Sequence, residues 1–174
     1  MSIVSNQRVR RWAFPVALLA CCGAHPGESG PDSQGRSTPI SIQGRTIRSG
    51  FLDLSLSGAT DADLAPLDRA IGLRGLDLFG TRVGAIGLAH LARMIDLRAL
   101  YLESTHVDAA ALVYLERLPM LETLTLSGTR VSDAGLVHLK KLSALRAQDI
   151  SYTKVTEAGV ADLRRTLPGV VIND

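Results

Sequence analysis

A block of the form Leu-x-x-Leu-x-Leu returns every 24 residues, and no other feature restricts the fold of this chain as tightly. Leu73-Arg-Gly-Leu76-Asp-Leu78 is followed by Leu97-Arg-Ala-Leu100-Tyr-Leu102 and Leu121-Glu-Thr-Leu124-Thr-Leu126, and Leu145-Arg-Ala-Gln148-Asp-Ile150 keeps the register. At a constant offset after each block comes a hydroxyl residue (Thr81, Thr105, Thr129, Thr153) and then a valine (Val83, Val107, Val131, Val155). The pairs Leu88 and Leu91, Leu112 and Leu115, Leu136 and Leu139, Val160 and Leu163 follow at equal offsets. A weaker copy (Leu52, Leu54, Ser57, Ala59, Leu64, Leu67) precedes these without a gap. Five copies therefore occupy residues 49–168, and Pro168-Gly-Val-Val-Ile172 begins a sixth strand.

Two periods alternate inside each copy. Leu-x-Leu has the period of a strand with one buried face. Leu88, Leu91 and Met94, like Leu112, Leu115 and Leu118, have helical spacing. Ser132 and Thr156 stand at helix N-cap positions, Asp133 and Glu157 follow in the first turn, and Asp108 caps the copy before. No single copy can bury its leucines alone, so stacking must make the core continuous. Only 4% of the chain is aromatic, which leaves that core to aliphatic side chains.

The pattern LxxLxLxxTxV followed by DAGLxxLxxL at Thr129–Leu142 resembles the leucine-rich-repeat family, in the Thr-x-Val variant common in bacterial surface and secreted proteins. The resemblance covers about 120 residues. It implies an α/β fold: a right-handed solenoid with parallel strands on the concave face and short helices on the convex face. The family usually places Asn at the hydroxyl column. Ser57, Thr81, Thr105, Thr129 and Thr153 can likewise bond backbone groups of a buried turn. Gln148 replaces a leucine in the last full copy. It is expected where the core opens to solvent, as a capping adjustment, with ligand contact as the other reading.

The remaining chain has a different character. Arg8, Arg10 and Arg11 precede the apolar run Trp12 to Cys22, the layout of a secretory signal peptide. The run is shorter than the ~20 residues needed to span a bilayer. It ends in Leu18-Leu19-Ala20-Cys21, which resembles a bacterial lipobox and implies acylation of Cys21. An ordinary signal peptide, or a cytosolic chain with a disordered lead, accounts for the same residues. Residues 23–48, rich in Gly, Pro, Ser and Gln, cannot offset the entropy of ordering and read as a flexible linker. Ile40, Ile42 and Ile47 near its end can form a short strand capping the first copy. The expected organisation is a signal peptide over 1–22, a linker over 23–48 and the repeat domain over 49–174.

Charge and composition narrow the function. The net charge of +2 is unevenly placed: residues 1–48 carry six arginines against Glu28 and Asp32, whereas residues 49–174 carry 13 Lys+Arg against 15 Asp+Glu. A nucleic-acid-binding domain would be basic itself, so nucleic acid is not an expected partner. Cys21 and Cys22 are the only cysteines, which excludes a disulfide framework or a cysteine zinc site. His25 lies in the linker. His90 and His138 share an offset two copies apart, about 10 Å, too far for a common metal. His106 falls on a turn. Neither a phosphate-binding glycine loop nor a nucleophile elbow is present, and Asp61 with Asp63 reads as a helix start. No cofactor, metal site or catalytic set is therefore expected.

The positions flanking the strand leucines are expected to face outward: Asp77, Phe79, Tyr101, Glu103, Thr125, Ser127, Asp149 and Ser151. Phe79 and Tyr101 fall on adjacent strands, and exposed aromatics are enriched at binding hot spots. Arg82, His106, Arg130 and Lys154 share the next offset and form a mostly basic column at the rim. The expectation is a non-catalytic interaction module at the bacterial cell envelope, anchored through Cys21 or secreted, that binds a protein or peptide of acidic character. The alternative is an intracellular adaptor like the repeat halves of ubiquitin-ligase receptors.

Overall fold

The computed structural model describes residues 41–46, 50–70 and 72–174. The expected signal peptide, Cys21, His25, the linker as far as residue 40, and Ile47 lie outside the described residues. The copies fold as the repeat requires. Strands β3 (Phe51–Asp53), β4 (Gly75–Asp77), β5 (Ala99–Tyr101), β6 (Thr123–Thr125), β7 (Ala147–Asp149) and β8 (Val171–Asn173) form one six-stranded sheet in sequence order. Every pairing is parallel. Leu52, Leu76, Leu100, Leu124, Gln148 and Ile172 stand side by side in register. Helices α1 (Ala85–Leu91), α2 (Asp133–Leu139) and α3 (Glu157–Thr166) and the 3-10 segments Asp61–Arg69 and Ala110–Arg117 form the opposite layer.

Between the layers runs one continuous core, from Ile42 through the leucine columns to Leu163. Leu76, Leu100 and Leu124 are fully buried, each contributing ~1.5–3 kcal/mol of transfer free energy. The hydroxyl column closes the turn after each strand within its own copy. Thr81 Oγ1 donates to the Leu78 carbonyl at 2.7 Å, Thr105 to Leu102 at 2.7 Å and Thr129 to Leu126 at 2.6 Å. Ser57 and Thr153 donate likewise to Leu54 and Ile150.

The convex layer is less regular than the sequence suggests. It is α-helical where a glycine occupies one repeat offset (Gly87, Gly135, Gly159) and 3-10 where Asp63 or Ala111 stands at that offset. Pro66, which lacks a backbone donor, adds to the irregularity of the first segment. Thr156 caps α3 by accepting from the Gly159 N–H, and Asp108 accepts from Ala111, as expected. Ser132 occupies the cap position of α2, but its side chain makes no capping bond. Neighbouring copies are joined by side chains. Asp61 accepts the Gly84 N–H at 2.6 Å, and Asp133 accepts the Thr156 N–H at 2.8 Å. A carbon added to Gly87 would lie 2.6 Å from Asp61 Oδ1 and 2.7 Å from Val83 Cγ1. His90 pairs with Asp68 at 3.2 Å, and His138 and Lys141 both reach Glu116 at 2.6 Å.

The short strand expected around Ile42 is present as part of a hairpin, and the expectation for Gln148 changes. Residues 41–46, within the segment read as linker, form an antiparallel hairpin of β1 (Ser41–Ile42) and β2 (Arg45–Thr46). Ile42 joins the core, and Arg45 Nη1 donates to the Asp53 carbonyl at 2.9 Å. A buried isoleucine and a guanidinium on the carbonyls of the edge strand order what composition alone would leave loose. Gln148 does not face solvent: β8 pairs beside it, it is 1% exposed, and neither side-chain polar atom has a hydrogen-bond partner.

Candidate interaction surface

The sheet face presents three columns running across the strands. The first consists of Asp53, Asp77, Tyr101, Thr125, Asp149 and Asn173, which are register neighbours. Its members are more recessed than expected. Asp77 is only 8% exposed and Thr125 only 4%. Asp77 Oδ1 accepts the Phe79 N–H at 2.9 Å, and Asp149 Oδ1 accepts the Ser151 N–H at 3.0 Å. Asn173 donates to the other oxygen of Asp149 at 3.2 Å. These carboxylates hold the corner where each strand enters its turn, a local use of Asp that competes with contact to a partner. Tyr101 is half-buried.

The second column holds Phe79, Glu103, Ser127 and Ser151, all half-buried. Burial pushes the Glu103 carboxyl above its ordinary value of 4.5; a hydrogen bond with Thr125 opposes the rise, and repulsion from Asp77 and Asp149 adds to it. The floor of the face is thus acidic but poorly accessible.

The third column, Arg82, His106, Arg130 and Lys154, is exposed. Its backbone forms a ladder of its own. The N–H groups of Arg82, His106, Arg130 and Lys154 donate to Ala59, Val83, Val107 and Val131 at 2.8–2.9 Å. This ladder sets the backbones of the four residues about one strand spacing apart, ~4.8 Å. Among the described residues no carboxylate pairs with any of the four.

The structure thus brings Phe79, Tyr101 and Glu103 together on neighbouring strands, recesses Asp77, and aligns the basic column beyond them. Two features escape sequence reasoning confined to strand flanks. Arg74, Arg98 and Arg146 precede the strands at one repeat offset, a second basic column interrupted by Glu122, which pairs with Arg98 at 2.9 Å. Tyr152, in the turn after β7, is 90% exposed. Its signal was an aromatic at the offset where Gly80 and Gly128 stand. Among the described residues no three His, Cys, Asp or Glu side chains are placed to hold a metal.

No protein-family model matches the sequence, and no curated protein matches it. Solved structures do. A leucine-rich-repeat protein of Leptospira interrogans is similar with a TM-score of 0.54 at 16% identity, over 63% of this chain and 27% of its own. An internalin C2 of Listeria monocytogenes is similar with a TM-score of 0.41 at 18% identity, over 71% of this chain and 69% of its own. The chain spans only 27% of the Leptospira protein. Together with the in-register sheet, the Leptospira likeness shows the fold: an α/β leucine-rich-repeat solenoid.

Proposed function

We propose that the chain is a non-catalytic protein-interaction module held at the bacterial cell envelope through Cys21, binding a protein or peptide of acidic character across its sheet face and basic rim. The basic column carries this reading. Four side chains carried on a rigid backbone ladder, exposed and without carboxylates of their own, leave positive potential available to a partner. Phe79 and Tyr101 supply apolar contact next to it. A face of this kind suits an interface of ~800 Å² per partner.

Crosslinking on intact cells with detection by mass spectrometry tests the proposal. Replacing Tyr101 and Arg130 together by Ala should weaken the captured contact about tenfold or more while leaving the chain folded. Undiminished capture would show that the partner uses another face. In the same cells Cys21→Ser should abolish incorporation of a palmitate analogue, and retained label would discard the anchor.

A further inference from the structure

The turn after each strand passes through the left-handed region at one shared repeat offset: Leu56, Gly80, Ser104, Gly128 and Tyr152, with φ of 53°, 65°, 55°, 69° and 56°. Gly80 and Gly128 adopt this conformation without steric cost. A bulky side chain there is an outlier. Tyr152 also gains nothing from burial, since at 90% it is the most exposed of the large apolar side chains described. Leu56 and Ser104 bear the same strain, so the turn imposes it, but only at Tyr152 does a strained position carry an exposed aromatic ring, the kind of side chain enriched at binding hot spots.

The surroundings of Tyr152 specify the chemistry. Lys154 is two residues on, and Arg130 occupies the same offset as Lys154 in the preceding copy. Both are exposed and without ion pairs among the described residues. Their backbones are fixed by the Lys154-to-Val131 and Arg130-to-Val107 bonds of 2.8 and 2.9 Å. An aromatic ring beside two free cations on a rigid ridge matches a segment carrying an apolar side chain next to carboxylates.

We propose that Tyr152, Arg130 and Lys154 form the main anchor for an acidic peptide segment, the ring taking an apolar side chain and the two cations its neighbouring carboxylates. This inference rests on the interaction role proposed above. It names the partner's chemistry and places the principal contact on the turn ridge rather than on Tyr101.

The test is to pan a random peptide library displayed on phage against the full chain and to titrate the selected peptides by fluorescence anisotropy. Selected peptides should be rich in Asp and Glu with interspersed apolar residues. Tyr152→Asn, which tolerates the left-handed region, should raise the melting temperature yet weaken these peptides about tenfold or more. Lys154→Glu should weaken them likewise, and Tyr101→Ala should leave them bound. Peptides indifferent to Tyr152→Asn but lost with Tyr101→Ala would overturn the anchor and leave the broader role standing. Selection of no peptide at all would overturn the anchor and leave the broader role to the crosslinking test. Basic or neutral selected peptides, or tighter binding to heparin or to anionic lipid vesicles than to any peptide, would overturn the partner chemistry. A lower melting temperature for Tyr152→Asn would remove the strain on which the anchor is argued.

Discussion

Gln148 and Glu103 are side chains that work against the fold by being buried. Gln148 sits between Leu124 and Ile172 in the register, with a buried amide that bonds to nothing. An unsatisfied buried amide costs ~1–3 kcal/mol, and leucine has nearly the same volume. Gln148→Leu should therefore stabilise by about that amount, read as a melting temperature several degrees higher. Glu103 acts through its charge. Burial raises its carboxyl above the ordinary 4.5, so the folded state binds its proton more readily than the unfolded state does. The cost is absent below that ordinary value, grows as pH rises towards the raised one, and is complete above it. Glu103→Gln should raise the melting temperature at pH ~7, where the charged form is the one relieved. Melting curves in an acidic buffer series should show the gain vanishing near the ordinary glutamate value. Neither effect was legible in sequence. The repeat marks Gln148 as a departure, but only the β8 strand pairing beside it turns the departure into a buried one. Glu103 looked like any outward-facing residue until the recessed columns of its neighbours were in place.

Secondary-structure elements in this chain are too short to stand alone and are defined by what packs against them. The helices α1 and α2 have seven residues each, below the length at which isolated helices persist. Glycine at their third position would ordinarily be a weakness: Gly→Ala in a helix gains up to ~1 kcal/mol from propensity. Here the sign reverses at Gly87. The added methyl would meet Asp61, already bonded to Gly84, and the stiff side chain of Val83, and overpacking of this kind costs ~1–3 kcal/mol. Gly87→Ala should thus destabilise by about 1–2 kcal/mol net, measurable by denaturant titration; a gain would show that the preceding 3-10 segment yields. Existence and order of the elements were readable from the leucine offsets, because burial of one face sets the period. Helix type was not, because the choice between α and 3-10 depends on how closely the preceding copy approaches.

The whole molecule is a linear stack, so its stability is distributed along it rather than held in one closed core. The β1–β2 hairpin covers the β3 edge, where Arg45 donates to the Asp53 and Ser55 carbonyls at 2.9 and 3.4 Å. Removing that cover should loosen the near end first. Arg45→Ala is expected to cost about 0.5–1 kcal/mol. Hydrogen exchange should show faster exchange at Leu54 and Leu56 while Leu102 and Leu126 stay protected; uniform loss across all copies would mean that the stack opens as a unit. The joints between copies carry a further consequence. Alike in their leucines, the copies differ where they touch. The Asp61 carboxylate needs a successor with no side chain at the Gly87 position, and one copy later that position is Ala111. A chain of near-identical modules is prone to stacking out of order, by skipping a module or borrowing one from another molecule. The same joint of carboxylate and missing methyl recurs where Asp133 meets Gly159, whereas Ala109 stands against Gly135, so the seams are of more than one kind while the interior is shared, and a misplaced copy would meet a mismatched seam at some joints and not at others.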